Sequence, residues 1–394
     1  MSVCLKHMKT RPFLPLLVFG LGLALGRSPG SAQTPAPAPA AALPPVVSPD
    51  VLPDHRVTFR VHAPHATEVG LWGDWMPLPS SQSQPMTREA GGDWSLTLGP
   101  LESGIAIYTV TVDGVTTTDP VNPKVKLRAR TSASLVTVPG DGTELWEARD
   151  VPHGTLEVNW ARSEILGDTR SYTVYTPPGY AAHRERRYPV LVLLHGSNDT
   201  AAGWTDVGRA NFILDNLLAA HRAAPMIVVM PWGHAVPFDG PQADNDSRFE
   251  RYLLEEVLPQ VERHYRVKDG RTQRAIVGLS MGGGQALKIG LGHLDRFGAV
   301  AAFSAAIPSE PETRFHSLFE APDSVNRKLS LLWIGCGRQD AAFDRDRAFS
   351  ELLTRHGVRN TFHPTEGRHN FAIWRRYFGE VAPLLFGGGT AKGN

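Results

Sequence analysis

An α/β fold with a mostly parallel central sheet, preceded by a small all-β sandwich, is predicted by three observations. From about residue 154 onward, short apolar runs alternate with helical patterns, which is the signature of a parallel sheet covered on both faces. Between residues 54 and 139 the pattern is instead short alternating runs broken by Gly, Pro and Asp, as in a sandwich of antiparallel strands. Third, the apolar run 274–277 leads into GLSMG at 278–282 and then into a helical pattern. A strand, a Gly-x-Ser-x-Gly turn and a helix start form the frame of a nucleophile elbow.

The 394 residues exceed one typical domain, and 42% hydrophobic with 20% charged residues describes an ordinary globular chain. A net charge of +1 gives no electrostatic case for nucleic acid or an anionic membrane surface. The N-terminus reads as an export signal over residues 1–32: Lys6, Lys9 and Arg11 precede an apolar stretch at 13–25 too short to span a bilayer comfortably, and Ser31 and Ala32 offer small residues for cleavage. No stable membrane insertion is expected after cleavage. Only Cys336 then remains of the two cysteines, and its apolar run favours a buried, inert thiol. Residues 33–53 are rich in Ala and Pro and read as a disordered tether.

In the sandwich segment, runs at 57–61, 69–72, 94–98 and 105–112 alternate, and Asp113 with Gly114 closes the last as a hairpin turn would. FRVHAP at 59–64, VGLWGDW at 69–75 and YTVTVDG at 108–114, with DPVNP at 119–123, resemble the early-set immunoglobulin-like module. That module precedes the catalytic domain of branching enzymes and of some carbohydrate esterases. The resemblance implies glycan binding or simple packing against a catalytic partner. Trp72, Trp75 and Trp94 are the residues able to stack on sugar rings, and burial in the core is the competing fate of a strand tryptophan. Residues 140–153 form a connector, 154–386 the α/β domain and 387–394 a tail. Strands are expected at 171–176, 188–194, 226–230, 274–277, 299–303, 329–334 and 360–363, and helices at 210–221, 247–265, 282–293 and 345–356.

A serine nucleophile on this frame needs an acid and then a histidine downstream. Ser280 is the candidate nucleophile, with Gly278 and Gly282 removing side chains where strand and helix would collide. The pattern alone proves little, because GRSPG at 26–30 matches it without any strand–helix frame. Asp340 follows the strand at 329–334 and is the expected orienting acid; its rivals Asp344 and Asp346 fall in the next helical pattern, where they would cap it. His369, in the loop before the last helix, is the expected base, ahead of His363 in a strand and His356 at a helix end. The oxyanion hole is assigned to the backbone N–H groups of Met281 and Ser197, with His195 ordering the Ser197 loop rather than acting as a base.

YTPPGY at 175–180, LLHG at 193–196 with Trp204, MP at 230–231, EEVLP at 255–259, GLSMGG at 278–283, GCG at 335–337 with Asp340, and His369 with Trp374 and Arg375 together resemble one esterase family. It includes the feruloyl and acetyl-xylan esterases of carbohydrate esterase family 1, enterochelin-type esterases and esterase D. The resemblance implies an α/β-hydrolase fold and a Ser280–Asp340–His369 triad. Two positions depart from the family pattern: Arg368 stands for the usual glycine before the histidine, and Phe371 for a tryptophan. Candidate substrate contacts are Trp204, Trp232, Phe249 and Phe371.

The expected substrate is a small-molecule or polysaccharide ester, with feruloyl or acetyl esters of carbohydrate leading. A siderophore trilactone, acyl transfer to another alcohol, and a non-catalytic glycan-binding protein are the alternatives. No cofactor and no metal are expected, since there is no His-Glu-x-x-His, Cys/His cluster, P-loop or dinucleotide fingerprint. The sequence carries no signal for oligomeric state.

Overall fold

A computed structural model describes residues 46–77, 82–238 and 240–387. The expected leader and most of the Ala/Pro tether lie outside the described residues, as does all but the first residue of the tail. Among the described residues, no helix is long and apolar enough to cross a membrane.

The N-terminal part is two antiparallel sheets. One contains Asp50–Val51, Val57–His62, Asp93–Leu98 and Thr87–Arg88; the other is built on Gly104–Val112, flanked by Val69–Gly73 and Ala133–Val138. Val57, Phe59, Leu71, Trp94, Tyr108, Val110 and Val136 fill the space between them. Trp94 belongs to this core and donates its indole N–H to the Ala63 carbonyl. Order begins earlier than the tether boundary at 53 predicts. Asp50 and Val51 pair with Val57–His62, and the buried Ser48 hydroxyl donates to Asp119 at 2.6 Å. The composition of the segment hides this, because two polar anchors suffice to fix its last residues.

The α/β part carries an eight-stranded sheet. Its strands are β1 (Thr155–Arg162), β2 (Thr169–Thr176), β3 (Val190–Leu194), β4 (Ile227–Pro231), β5 (Arg274–Leu279), β6 (Ala299–Phe303), β7 (Leu331–Gly337) and β8 (Thr361–Thr365). Their spatial order is β1-β2-β4-β3-β5-β6-β7-β8, antiparallel up to β4 and parallel from there on. This is the α/β-hydrolase architecture. The fully buried β3, β4 and β6 read as continuous apolar runs because helices cover both faces. β1 was not among the expected strands: as an edge strand it leaves Val158 and Trp160 mostly exposed, so it carries no burial pattern to read. The helix expected at 247–265 is two α-helical segments, Gln242–Arg251 and Leu258–His264, joined by a π-helical turn.

The two parts share a core. Ile105, Ile107 and Ala133 of the sandwich pack in one cluster with Trp204, Phe371, Trp374 and Phe378. Arg375 is buried at this junction and donates to the carbonyls of Ile105 in the sandwich and Val207 in the hydrolase part. Its pKa is pulled down to about 10, chiefly by burial. The junction matters because it abuts the candidate site.

Candidate active site

Ser280 sits between β5 and the helix α1 (Met281–Gly292) with φ 52° and ψ −118°, a backbone conformation that costs free energy for any residue with a Cβ. The neighbours over-determine it. Ser280 N–H donates to the Phe303 carbonyl at 2.8 Å, and the Ser280 carbonyl accepts from Gly284 and Ala306. A Cβ on Gly278 would come within 2.1 Å of the Gly282 carbonyl oxygen, and one on Gly282 within 2.4 Å of the His195 carbonyl oxygen. Both glycines are therefore steric requirements of the turn.

The other two residues arrive on the loops after β7 and β8. His369 Nε2 lies 3.0 Å from Ser280 Oγ, while its Nδ1 lies 2.9 and 3.0 Å from the two Asp340 carboxylate oxygens. Asp340 is buried and also accepts from the Ala342 N–H at 2.8 Å. Burial alone would raise its pKa, but hydrogen bonds from His369, Ala342 and Ser304 outweigh burial and hold it below the usual carboxylate range. An ionised Asp340 requires the proton on His369 Nδ1, which leaves Nε2 free to accept from Ser280.

Neither rival acid caps the helix α2 (Phe343–Arg355), whose cap position is Ala342. Asp346 is instead fully buried and accepts from the Ala305 N–H at 2.9 Å. Burial pushes its pKa up to about 8. His363 pairs with Glu380, and His356 ends α2, so neither competes with His369.

The loop after β3 runs directly against the nucleophile. A Cβ on Gly196 would meet Leu279 Cδ1 at 2.8 Å and Ser280 Cβ at 3.3 Å. Ser197, the next residue, lines a cavity of about 260 Å³ together with Ser280 and His369. Met281 begins α1 directly after the serine, so its N–H belongs to the helix N-terminus. His195 orders this loop: its Nε2 accepts from the Gly233 N–H, so its Nδ1 is the donor to the Gly196 carbonyl. Burial lowers its pKa.

Of the four candidate substrate contacts, Phe371 alone lines this cavity. Trp204 is fully buried behind the loop, donating its indole N–H to the Leu194 carbonyl and meeting the Phe371 ring edge-on. Phe249 is fully buried in the opposite core against Tyr252. Trp232 lies outside the cavity lining, under the Arg170 guanidinium. Sequence position next to a catalytic loop does not reveal which face of the sheet an aromatic side chain takes.

The residues missed come largely from the sandwich. Met76, Ile107, Lys126 and Arg128 line the same cavity as Ser280, and so does Trp72, one of the three tryptophans able to stack on sugar rings. A signal was present: Lys124, Lys126, Arg128 and Arg130 alternate at the spacing of one strand face. Among the described residues no cluster of His, Cys, Asp or Glu could hold a metal ion.

The "Putative esterase" family profile matches residues 163–383, more than half of the chain. The chain belongs to this esterase family. Over 336 residues it is 28% identical to an endo-1,4-beta-xylanase/feruloyl esterase of Xylanibacter ruminicola, covering 83% of this chain and 44% of that protein. An uncharacterised Corynebacterium glutamicum protein is 27% identical, covering 53% of this chain and 55% of that one. The chain thus spans about half the length of these curated relatives. A solved ferulic acid esterase is 30% identical, with a TM-score of 0.53, covering 60% of this chain and 99% of its own. The enterobactin esterase of Shigella flexneri shares the fold over 84% of this chain and 92% of its own, at 19% identity and a TM-score of 0.61.

Proposed function

We propose that this esterase is an exported serine hydrolase of esters borne by carbohydrate, with hydroxycinnamoyl esters such as feruloyl ahead of acetyl. The single observation that carries the mechanism is the unbroken hydrogen-bond chain from Ser280 Oγ through His369 to Asp340. Ser280 Oγ attacks the ester carbonyl carbon while its proton passes to His369 Nε2. The oxygen that gains charge faces the backbone N–H groups of Ser197 and Met281. His369 then returns the proton to the departing alcohol oxygen as the C–O bond breaks, leaving an acyl-enzyme. A water molecule, deprotonated by His369, releases the acid and regenerates Ser280.

The preference for an aromatic acyl group rests on the cavity wall, which Trp72, Phe371 and Trp374 line together with Ser280. The feruloyl and ferulic acid esterases among its relatives support the same reading. Export rests on the basic-then-apolar leader of the sequence. Arg128 on the same wall favours a second reading, an anionic catecholate trilactone as substrate.

The test is a panel of feruloylated xylo-oligosaccharide, acetylated xylan and catecholate trilactone, assayed with purified protein. Feruloyl release should exceed the others in kcat/KM by at least about tenfold, the scale of one aromatic contact. Faster trilactone cleavage would overturn the substrate assignment, and turnover of the panel by Ser280→Ala would overturn the mechanism.

A further inference from the structure

We infer that the sandwich is part of the catalytic apparatus: Lys126 is a positioning residue that holds the oxyanion loop from outside the hydrolase part. The inference rests on the serine-esterase reading above and goes beyond it. Lys126 lies in the sandwich strand Val125–Lys126, yet its ammonium reaches Asp199 Oδ2 at 2.7 Å, two residues after Ser197. Both side chains are almost fully buried, with 2% and 8% of their surface exposed.

The loop is built to receive this contact. Asp199 Oδ1 accepts from the Thr200 N–H at 2.7 Å, which fixes the carboxylate. Gly203 makes room for it, since a Cβ there would lie 2.4 Å from Asp199 Oδ2. Asn198 takes a left-handed backbone at φ 55°, and its side-chain oxygen, oriented to satisfy its partners, accepts from the Arg128 guanidinium. Two consecutive loop residues are thus held by two cations of the sandwich. The Lys126 ammonium also lies 5.0 Å from the centre of the Phe371 ring, two residues beyond His369. The Asp74 carbonyl, again from the sandwich, accepts from Asn370 at 3.1 Å. Both loops that flank Ser280 are therefore anchored across the junction.

A buried pair of this kind adds little net stability, because desolvating two charges offsets their attraction. Removing one partner is a different matter. Without Lys126, Asp199 is left as an uncompensated buried charge beside Ser197, and it regains solvation by drawing the loop outward. The Ser197 N–H then leaves the position where the tetrahedral oxyanion forms. Outright loss of one such donor typically lowers kcat by about a hundredfold to a thousandfold, so a displaced donor costs somewhat less.

The experiment uses the full chain and a small acetyl ester, which has no aromatic acyl group to engage Trp72 or Phe371. Lys126→Met should lower kcat by about ten- to a hundredfold while KM changes less than about threefold. Affinity for a boronic acid, which forms a tetrahedral adduct on Ser280 Oγ, should fall with kcat. Lys126→Arg should return kcat to within about fivefold of wild type. A merely structural role would lower the melting temperature and leave the kcat-against-KM split and the boronate affinity untouched. That result, or an unchanged kcat in folded Lys126→Met, overturns the inference. If Lys126→Met does not fold, Asp199→Asn approaches the same contact from the loop side and must show the same split; an unchanged kcat there is equally fatal. Turnover by wild type and its loss in Ser280→Ala test the underlying esterase reading separately.

Discussion

Replacing Asp340 by Asn changes almost no volume but reverses the logic of the hydrogen-bond chain. Asp340 Oδ1 accepts from the Ala342 N–H at 2.8 Å, so in the variant the amide oxygen stays with Ala342. The amide NH₂ then takes the place of Oδ2 and points at His369 Nδ1, now 2.9 Å away. Two donors cannot face each other, so the His369 proton moves to Nε2. That nitrogen, 3.0 Å from Ser280 Oγ, becomes a donor and can no longer take the serine proton. The wrong tautomer and the lost carboxylate together should cost about a thousandfold to ten-thousandfold in kcat, or about 4–5.5 kcal/mol in the barrier. Steady-state hydrolysis of a p-nitrophenyl ester near pH 7.5 reads this directly, with Asp344→Asn as the matched control expected within about threefold of wild type. A loss below tenfold in Asp340→Asn would refute the reasoning, and a larger loss in Asp344→Asn would reassign the acid.

Further predictions concern stability and the cavity. Asp346 is buried with its pKa raised to about 8, so its favourable protonated state persists to that pH in the fold but only to about pH 4 when unfolded. Its contribution is complete below about pH 4 and declines by up to about 1.4 kcal/mol per pH unit as pH rises to 8. Asp346→Asn lacks that slope, so its melting temperature should gain on wild type between pH 5 and 8; parallel curves would contradict the assignment. Trp204→Ala should destabilise by about 3–5 kcal/mol without changing the order of acyl preference, as measured by denaturant unfolding and the ester panel. Trp72→Ala should raise KM for aromatic acyl esters about tenfold while sparing an acetyl ester, and an equal effect on both would remove Trp72 from the acyl wall.

The central elements were legible because burial and chemistry coincide there. β3, β5 and β7 are buried on both faces, and the loops leaving them carry Gly196, Ser280 and Asp340. Chain order then singles out His369. What the sequence hid depends on long-range apposition. Lys126 and Arg128 alternate along the sequence, but nothing there tells that they reach the loop after β3. Trp204 and Phe249 look like site aromatics because they flank catalytic segments, yet both face the core. Asp346 reads as a capping acid because Asp is common in a first helical turn, while its real partner, the Ala305 N–H, is 41 positions away.

The most direct test of the account is intact-mass analysis after a fluorophosphonate probe, followed by peptide mapping. The geometry predicts one adduct per chain, on Ser280, absent in Ser280→Ala and slowed by at least about a hundredfold in His369→Ala. Folded wild-type protein that takes no label at pH 7.5, or takes it on another serine, would contradict the assignment of Ser280 as nucleophile.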